Sequence, residues 1–381
     1  MRIKSKLTGI GESIFAVMTA VAKKHNAINL SQGFPDFNCS PVLIDLVNKY
    51  SSEGYNQYAP FKGVPELRNE IADKTNILYN HLFDPEDEIN ITAGATQALF
   101  TAITALIDSG DEVIIFEPAY DSYSPSIILN KGIPVGIPLS QPEFKIDWDI
   151  VRKKINSKTK MVIINSPHNP SGSLIDEEDV KELISIVEKY NLLILSDEVY
   201  EHIVFDNKKH ISLSGISELY NNVITVCSFG KTFHTTGWKI GYCISNPSIM
   251  AEFRKVHQFN VFTVNTPIQY AYAEYLKDSS HYLGLNGFYQ AKRDFFIERI
   301  KTSKFKFKPA AGTYFQLLDY SEISNKNDME FSLELAEKYG IAVIPLSPFY
   351  SEENKSKNIR ICFAKTEKVL EDAANRLCTV K

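Results

Sequence analysis

Five short stretches hold the residue types most able to do chemistry. "SFGKTFHTTGWKIGY" (228–242) sets Lys231 and Lys239 among glycines and hydroxyls, with Ser228 at its start. "LLILSDEVYEHI" carries Asp197 and Tyr200, "INSPHNPSG" carries Asn165 and Asn169, and "EPAYDSY" carries Tyr120. "TAGATQAL" opens a helix at Ala95 and Thr96. A lysine amine can add to a carbonyl and then carry a proton. A carboxylate can balance a cation, and N–H groups at a helix start can hold a phosphate. Each residue also has a plainer reading. Asp197 can cap a helix or loop, Asn169 can bond its own backbone in a proline-rich turn, and Tyr200 can be core packing. The helix start can bind nothing at all.

Other chemistries find no footing. "FGKT" fails as a phosphate loop because position 225, five before Gly230, is threonine. "TAGATQAL" has only Gly94 where a dinucleotide site needs three glycines. The eight histidines form no H-E-x-x-H and no cluster with Cys or Asp at metal spacing, so no metal is expected. No G-x-S-x-G elbow is present for a serine hydrolase.

The elements that must position these residues are legible as apolar runs. "EVIIF", "MVIIN", "LLILS", "VITVC" and "IGYCI" are β-branched-rich, bounded by polar residues or glycine, and predict buried strands. Between several of them lie helical patterns. "TQALFTAITALIDSG" predicts a helix closed by its glycine, and "DEEDVKELISIVEKYN" a helix with acids in its first turn. Strand, helix, strand at this spacing predicts an α/β domain with a largely parallel sheet between helices. After about residue 280 the pattern turns to a long helix, short strands ("TYFQLLDY", "AVIPL", "NIRICFA") and a terminal helix, a smaller α+β domain. The expected division is 1–42 as an N-terminal arm and part of the small domain, 43–280 as the large domain and 281–381 as the small one.

Composition narrows the class. The chain has 381 residues, a formal net charge of −5 and 44% hydrophobic residues, so it has no basic field for nucleic acid or anionic membrane. Five scattered cysteines without a C-x-x-C pair fit a reducing compartment. The basic start "MRIKSKLTGIGESIF" lacks the apolar core of a signal peptide, and no run is long enough for a membrane helix. The expectation is a cytoplasmic protein.

Taken together, the strand ends bring phosphate donors, a carboxylate, a phenol, an amide, an aromatic ring and a lysine to one edge of the predicted sheet. The ligand suited to that set carries a phosphate, a ring with a basic nitrogen, a phenolic oxygen and an aldehyde: pyridoxal phosphate.

The motifs also carry a resemblance. "INLSQGFPDF", "NQYAPFKGVPELR", "TAGATQALF", "NSPHNPSG", "SDEVYEH", "SFGKTFHTTGWKIGY" and "IRICFAK", in that order, resemble the fold-type I pyridoxal-phosphate enzymes of the class I/II aminotransferases. The branch they look most similar to holds methionine aminotransferases, kynurenine aminotransferases and glutamine transaminase K. The resemblance implies a mostly parallel seven-stranded sheet in the large domain, and a homodimer with shared active sites. It implies that Lys231 is the covalent, proton-moving lysine and that Asp197 pairs with the ring nitrogen. Tyr200 and Asn169 would bond the phenolic oxygen, and Tyr120 would stack on the ring. Ala95, Thr96, Ser228 and Lys239 would hold the phosphate, joined by Tyr58 of the neighbouring subunit.

The same resemblance makes Arg360 the grip on the substrate α-carboxylate, with Gly33 and Asn165 as further contacts. Read alone, Arg360 is an edge-strand surface charge. Phe15 matches an aromatic pocket residue, and Tyr314 and the segment 256–262 are candidates to add rings. The implied substrates are an amino acid (methionine, aromatic or glutamine-like) and a 2-oxo acid, with methionine aminotransferase first. The alternatives are kynurenine aminotransferase or cysteine-S-conjugate β-lyase activity, or a non-transaminating lyase on the same fold.

Overall fold

A computed structural model describes residues 4–352 and 356–381; Met1–Ile3, at the start of the basic N-terminal segment, lie outside the described residues. At its centre a seven-stranded sheet runs Ile89–Thr92, Gly241–Ser245, Val223–Ser228, Leu193–Asp197, Thr159–Asn165, Glu112–Glu117, Ile133–Pro138. All neighbours are parallel except at Gly241–Ser245, which is antiparallel to both of its partners. The five apolar runs picked out above all become strands of this sheet. Ile133–Pro138 carries too little apolar signal to stand out, because as an edge strand it is only partly buried.

The sheet is covered on both faces. Ala95–Leu106 packs on Pro247–Asn260 and shares a core with Val113, Ile163, Leu195 and Val226. Glu177–Tyr190 covers the other face through Leu183 and Ile186, packed with Val162 and Ile194. Its start is a capping box: the Asp176 carboxylate accepts from Glu178 and Asp179 N–H, and Asp179 accepts in return from Asp176 N–H. The helix "TQALFTAITAL" does not reach its glycine. It ends at Leu106, with Ile107 already extended, and Gly110 at φ +93° turns the chain further on, donating to Lys131 O.

A three-stranded antiparallel sheet, Ile344–Pro345, Asn358–Cys362, Phe315–Asp319, stands apart from the large one. Arg360 lies on its middle strand and is fully buried, opposite Ile344 on one side and Leu317 on the other. The edge-strand reading of that residue is therefore corrected: flanking strands cover both sides of "NIRIC". A two-stranded parallel ladder pairs Ile28 with Ile341 and Asn29 with Ala342, fastening the N-terminal segment to this part of the chain. Among the described residues no helix is long and apolar enough to cross a membrane.

Candidate active site

Parallel register does the first positioning. Asn165 pairs with Asp197, and Asp197 with Val226, so the strands ending at Asn165, Asp197 and Ser228 finish side by side. Ligands of open α/β sheets bind beyond such carboxyl ends. A cavity of about 290 Å³ opens there, and every residue expected in the site lines it except Tyr58. Tyr58 is 83% exposed on the outer surface, edge-on to Phe262. Tyr314 does not line the cavity; it is buried behind it, its hydroxyl donating to Gly33 O at 2.6 Å. The segment 256–262 also stays outside, with Phe259 86% exposed.

Asp197 is buried at the cavity floor. Burial pushes its carboxyl up to about 6, against the stabilising hydrogen bonds from Tyr123 Oη (2.6 Å) and Val199 N–H. A carboxylate so placed favours a cationic partner, which would draw its pKa back down. Tyr123 is a residue that sequence reasoning missed. It sits in the quoted stretch "EPAYDSY", but nothing in its spacing says which tyrosine turns inward. Tyr120 lines the cavity itself, edge-on to Tyr123 at 5.7 Å.

At the other end of the cavity, Gly94 (φ +77°) precedes the helix Ala95–Leu106, whose first N–H groups have no intrahelical acceptor. A Cβ on Gly94 would stand 3.3 Å from Lys239 Cε and 3.4 Å from Nζ, so the ammonium lies directly over the helix start. Gly241 packs on the same turn, and a Cβ there would meet Cys227 O at 2.6 Å and Ala95 N at 3.1 Å. Helix dipole, free N–H groups and a lysine together make an anion cup, with Ser228 on its wall.

Lys231 follows the strand Val223–Ser228 in the short helix Phe229–Thr232. Its Nζ donates to Gly33 O at 3.0 Å. Burial, aided by the charges of Arg360 and Lys239, lowers the amine to about 8, although Asp197 pulls the other way. Gly33 cannot carry a side chain, because a Cβ would lie 2.7 Å from the Phe315 ring.

Arg360 closes the far wall. Nη1 donates to Asn169 Oδ1 (2.8 Å) and Nη2 to Ser31 O (2.9 Å), while Nε has no partner among the described residues. The guanidinium lies 3.9 Å from the Phe315 ring centroid and 5.2 Å from that of Phe15. Among the described residues it forms no ion pair. A fully buried arginine with donors to spare suits an incoming carboxylate. Asn165 has both ends of its amide engaged, donating to Asp197 O and accepting from Asn169 N–H, so it braces the asparagine that Arg360 touches.

Comparison with known proteins decides the family. The profile of aminotransferase class I and II matches residues 25–377. The chain belongs to the class I and II aminotransferases. It is 46% identical over 375 residues to methionine aminotransferase of Escherichia coli (strain K12), covering 98% of this chain and 97% of that one. It is 30% identical over 411 residues to kynurenine–oxoglutarate transaminase 1 of Mus musculus, covering 99% and 97%. The solved structure of YbdL from Escherichia coli, reported with a methionine aminotransferase function, superposes with a TM-score of 0.97 at 45% identity over 99% of both chains.

The protein is thus a fold-type I, pyridoxal-phosphate-dependent transaminase acting on amino acids and 2-oxo acids. The cavity fits the cofactor on its own terms. The cup under Lys239 matches the phosphate, the buried Asp197 matches a cationic ring nitrogen, and Lys231 presents to the aldehyde an amine lowered to about 8.

Proposed function

We propose that this aminotransferase takes methionine as its principal amino donor, with aromatic and glutamine-like amino acids as further donors. The observation that carries the reading is the full-length 46% identity to methionine aminotransferase. Support comes from the largely apolar and aromatic side of the cavity, Phe15, Phe34 and Phe315, which suits an unbranched thioether or a ring. Kynurenine-type donors are the second reading, favoured by the same rings and by the mouse relative.

In this proposal each residue has a defined task. Pyridoxal phosphate, when bound, supplies an aldehyde that takes the amino group and a ring that receives the electrons left when the Cα–H bond breaks. Ala95, Thr96, Ser228 and Lys239 hold its phosphate. Asp197 keeps the ring nitrogen protonated, Tyr123 and Val199 N–H hold Asp197 in its charged form, and Tyr120 provides the stacking ring. Tyr200 and Asn169 donate to the phenolic oxygen. Arg360, turned by Asn169 and Ser31 O, binds the substrate carboxylate and so fixes Cα near Lys231. With its amine near 8, Lys231 exists in part as the free base around neutral pH, which lets Nζ accept the Cα proton and return it to the cofactor side. The buried walls keep water from competing for that proton.

We also propose a cytoplasmic homodimer in which Tyr58 completes the partner's phosphate cup. The exposed aromatic group of Tyr58, Phe259 and Phe262 supports an interface there. Residues 43–280 are proposed as the cofactor-binding lobe, with 1–42 and 281–381 as the smaller one, supported by the pairing of Ile28 with Ile341. A panel of amino donors with a 2-oxo acid tests the function. Parallel double-reciprocal lines and equal yields of new amino acid and new 2-oxo acid are expected, with methionine among the best donors. No stoichiometric exchange of the amino group would refute the proposal.

A further inference from the structure

When the cavity wall is apportioned, one part has no task. Arg360 takes the carboxylate, and the sheet edge with Asn169 and the anion cup takes the cofactor. Beside Phe315, the wall left for the side chain of a bound amino acid includes Phe15, Gln32, Gly33 and Phe34, all from the N-terminal segment. Three of these four offer apolar atoms or backbone. Gln32 is the exception: a half-buried amide on an otherwise apolar side.

The orientation of that amide is dictated by its neighbour. Thr19 Oγ donates its single hydrogen to Phe15 O at 2.6 Å, one helical turn back in Ile14–Lys24. Its oxygen is then only an acceptor, so the group of Gln32 that lies 2.6 Å away must be the NH2. With the hydroxyl proton on Phe15 O, the amide presents its NH2 to Thr19. Gln32 Oε1 therefore points away from Thr19, and no hydrogen bond to it exists among the described residues. Phe15 and Thr19 share one helix face, four residues apart. Phe15 covers the guanidinium of Arg360 at 5.2 Å, which places the oriented amide one turn from the carboxylate grip.

We infer that Gln32 Oε1 is a fixed hydrogen-bond acceptor for the substrate side chain, held in place by Thr19. It selects for donors whose side chains carry an N–H, such as a primary amide or an imidazole, within a pocket whose other walls accept thioethers and rings. This rests on the aminotransferase reading of the site and names the atom that would recognise its glutamine-like donors and extend them to histidine. Methionine has no N–H to offer and gains nothing from this atom, whereas glutamine and histidine do.

The test is a ratio. kcat/KM for glutamine and for histidine is divided by that for methionine in wild type, Gln32→Leu, Thr19→Val and Thr19→Ser. Removing one neutral hydrogen bond is expected to lower the ratio about tenfold in Gln32→Leu. Thr19→Val, which frees the amide to turn, lowers it in the same direction, and Thr19→Ser, which keeps the hydroxyl, restores it. Inhibition by glutaramate against 4-(methylthio)butanoate, both lacking an amine to react, should shift by the same factor. A ratio that Gln32→Leu leaves in place, whatever the absolute rates, overturns the inference while leaving the transaminase reading intact. So does a wild-type enzyme that uses methionine but neither glutamine nor histidine. A wild type inert toward all three donors overturns both.

Discussion

Arg360→Met separates a binding residue from a structural one. Of the roughly five N–H donors on a guanidinium, Arg360 commits one to Asn169 Oδ1 and one to Ser31 O, and Nε–H has no partner among the described residues. A substrate carboxylate can therefore take a bidentate pair without breaking either bond. Two charge-assisted hydrogen bonds lost from a buried site cost about 3–5 kcal/mol, a fall in kcat/KM of roughly two to three and a half orders of magnitude. Stability should respond differently. The charge is fully buried and forms no ion pair among the described residues, so its removal relieves a desolvation cost. Against that stand the stacking on Phe315 at 3.9 Å, worth about 2 kcal/mol when desolvated, and the two hydrogen bonds to neutral acceptors.

The net change in unfolding free energy should stay within about 2 kcal/mol. Urea unfolding of the cofactor-free variant and steady-state kinetics of the loaded one read the two quantities separately. A variant that keeps its kcat/KM, or that loses activity only in step with a stability loss above about 4 kcal/mol, would show that Arg360 is a strut. Arg360→Lys keeps the charge but not the fork, and should recover less than a tenth of the loss.

Further predictions concern the residues around this anchor. Tyr123→Phe removes the 2.6 Å hydrogen bond to Asp197, so burial acts unopposed and its carboxyl rises beyond about 6. Fluorescence titration should show pyridoxal phosphate bound about ten- to a hundredfold more weakly. Lys74→Met strands Glu201, which Lys74 Nζ meets at 2.7 Å in the interior. Chemical unfolding should show a loss of about 3–5 kcal/mol, largely recovered in Lys74→Met/Glu201→Leu. In wild type, burial pushes Glu201 up but Lys74, His202 and the hydrogen bonds outweigh it, leaving the carboxyl below its usual range. The stability it contributes is therefore complete above about pH 4.5 and fades as pH falls further, which an acid-unfolding series can follow. Mixing inactive Tyr58→Ala and Lys231→Ala chains, then letting subunits exchange, should restore about a quarter of the sites in a twofold dimer; no recovery would mean that Tyr58 does not act across an interface.

What the sequence determined by itself was everything written locally. Apolar runs ending in polar residues marked five strands of the sheet, and the ends of those strands carried Asn165, Asp197 and Ser228. Gly94 before a helical pattern marked a helix start able to hold an anion, and Lys231 followed its strand directly. Such features depend on neighbours a few residues away, so periodicity and turn chemistry reveal them. Tertiary structure alone decided the rest. Arg360 looked like an edge-strand charge until strands from 344–345 and 315–319 closed over both sides. Tyr123 became the partner of Asp197 only through packing across a sequence gap of 74 residues. The orientation of Gln32 depends on a hydroxyl in another element, Thr19, whose own proton is already taken by Phe15 O. In each case the deciding contact joins segments distant in the chain, and their register is set by how the core packs rather than by local preference.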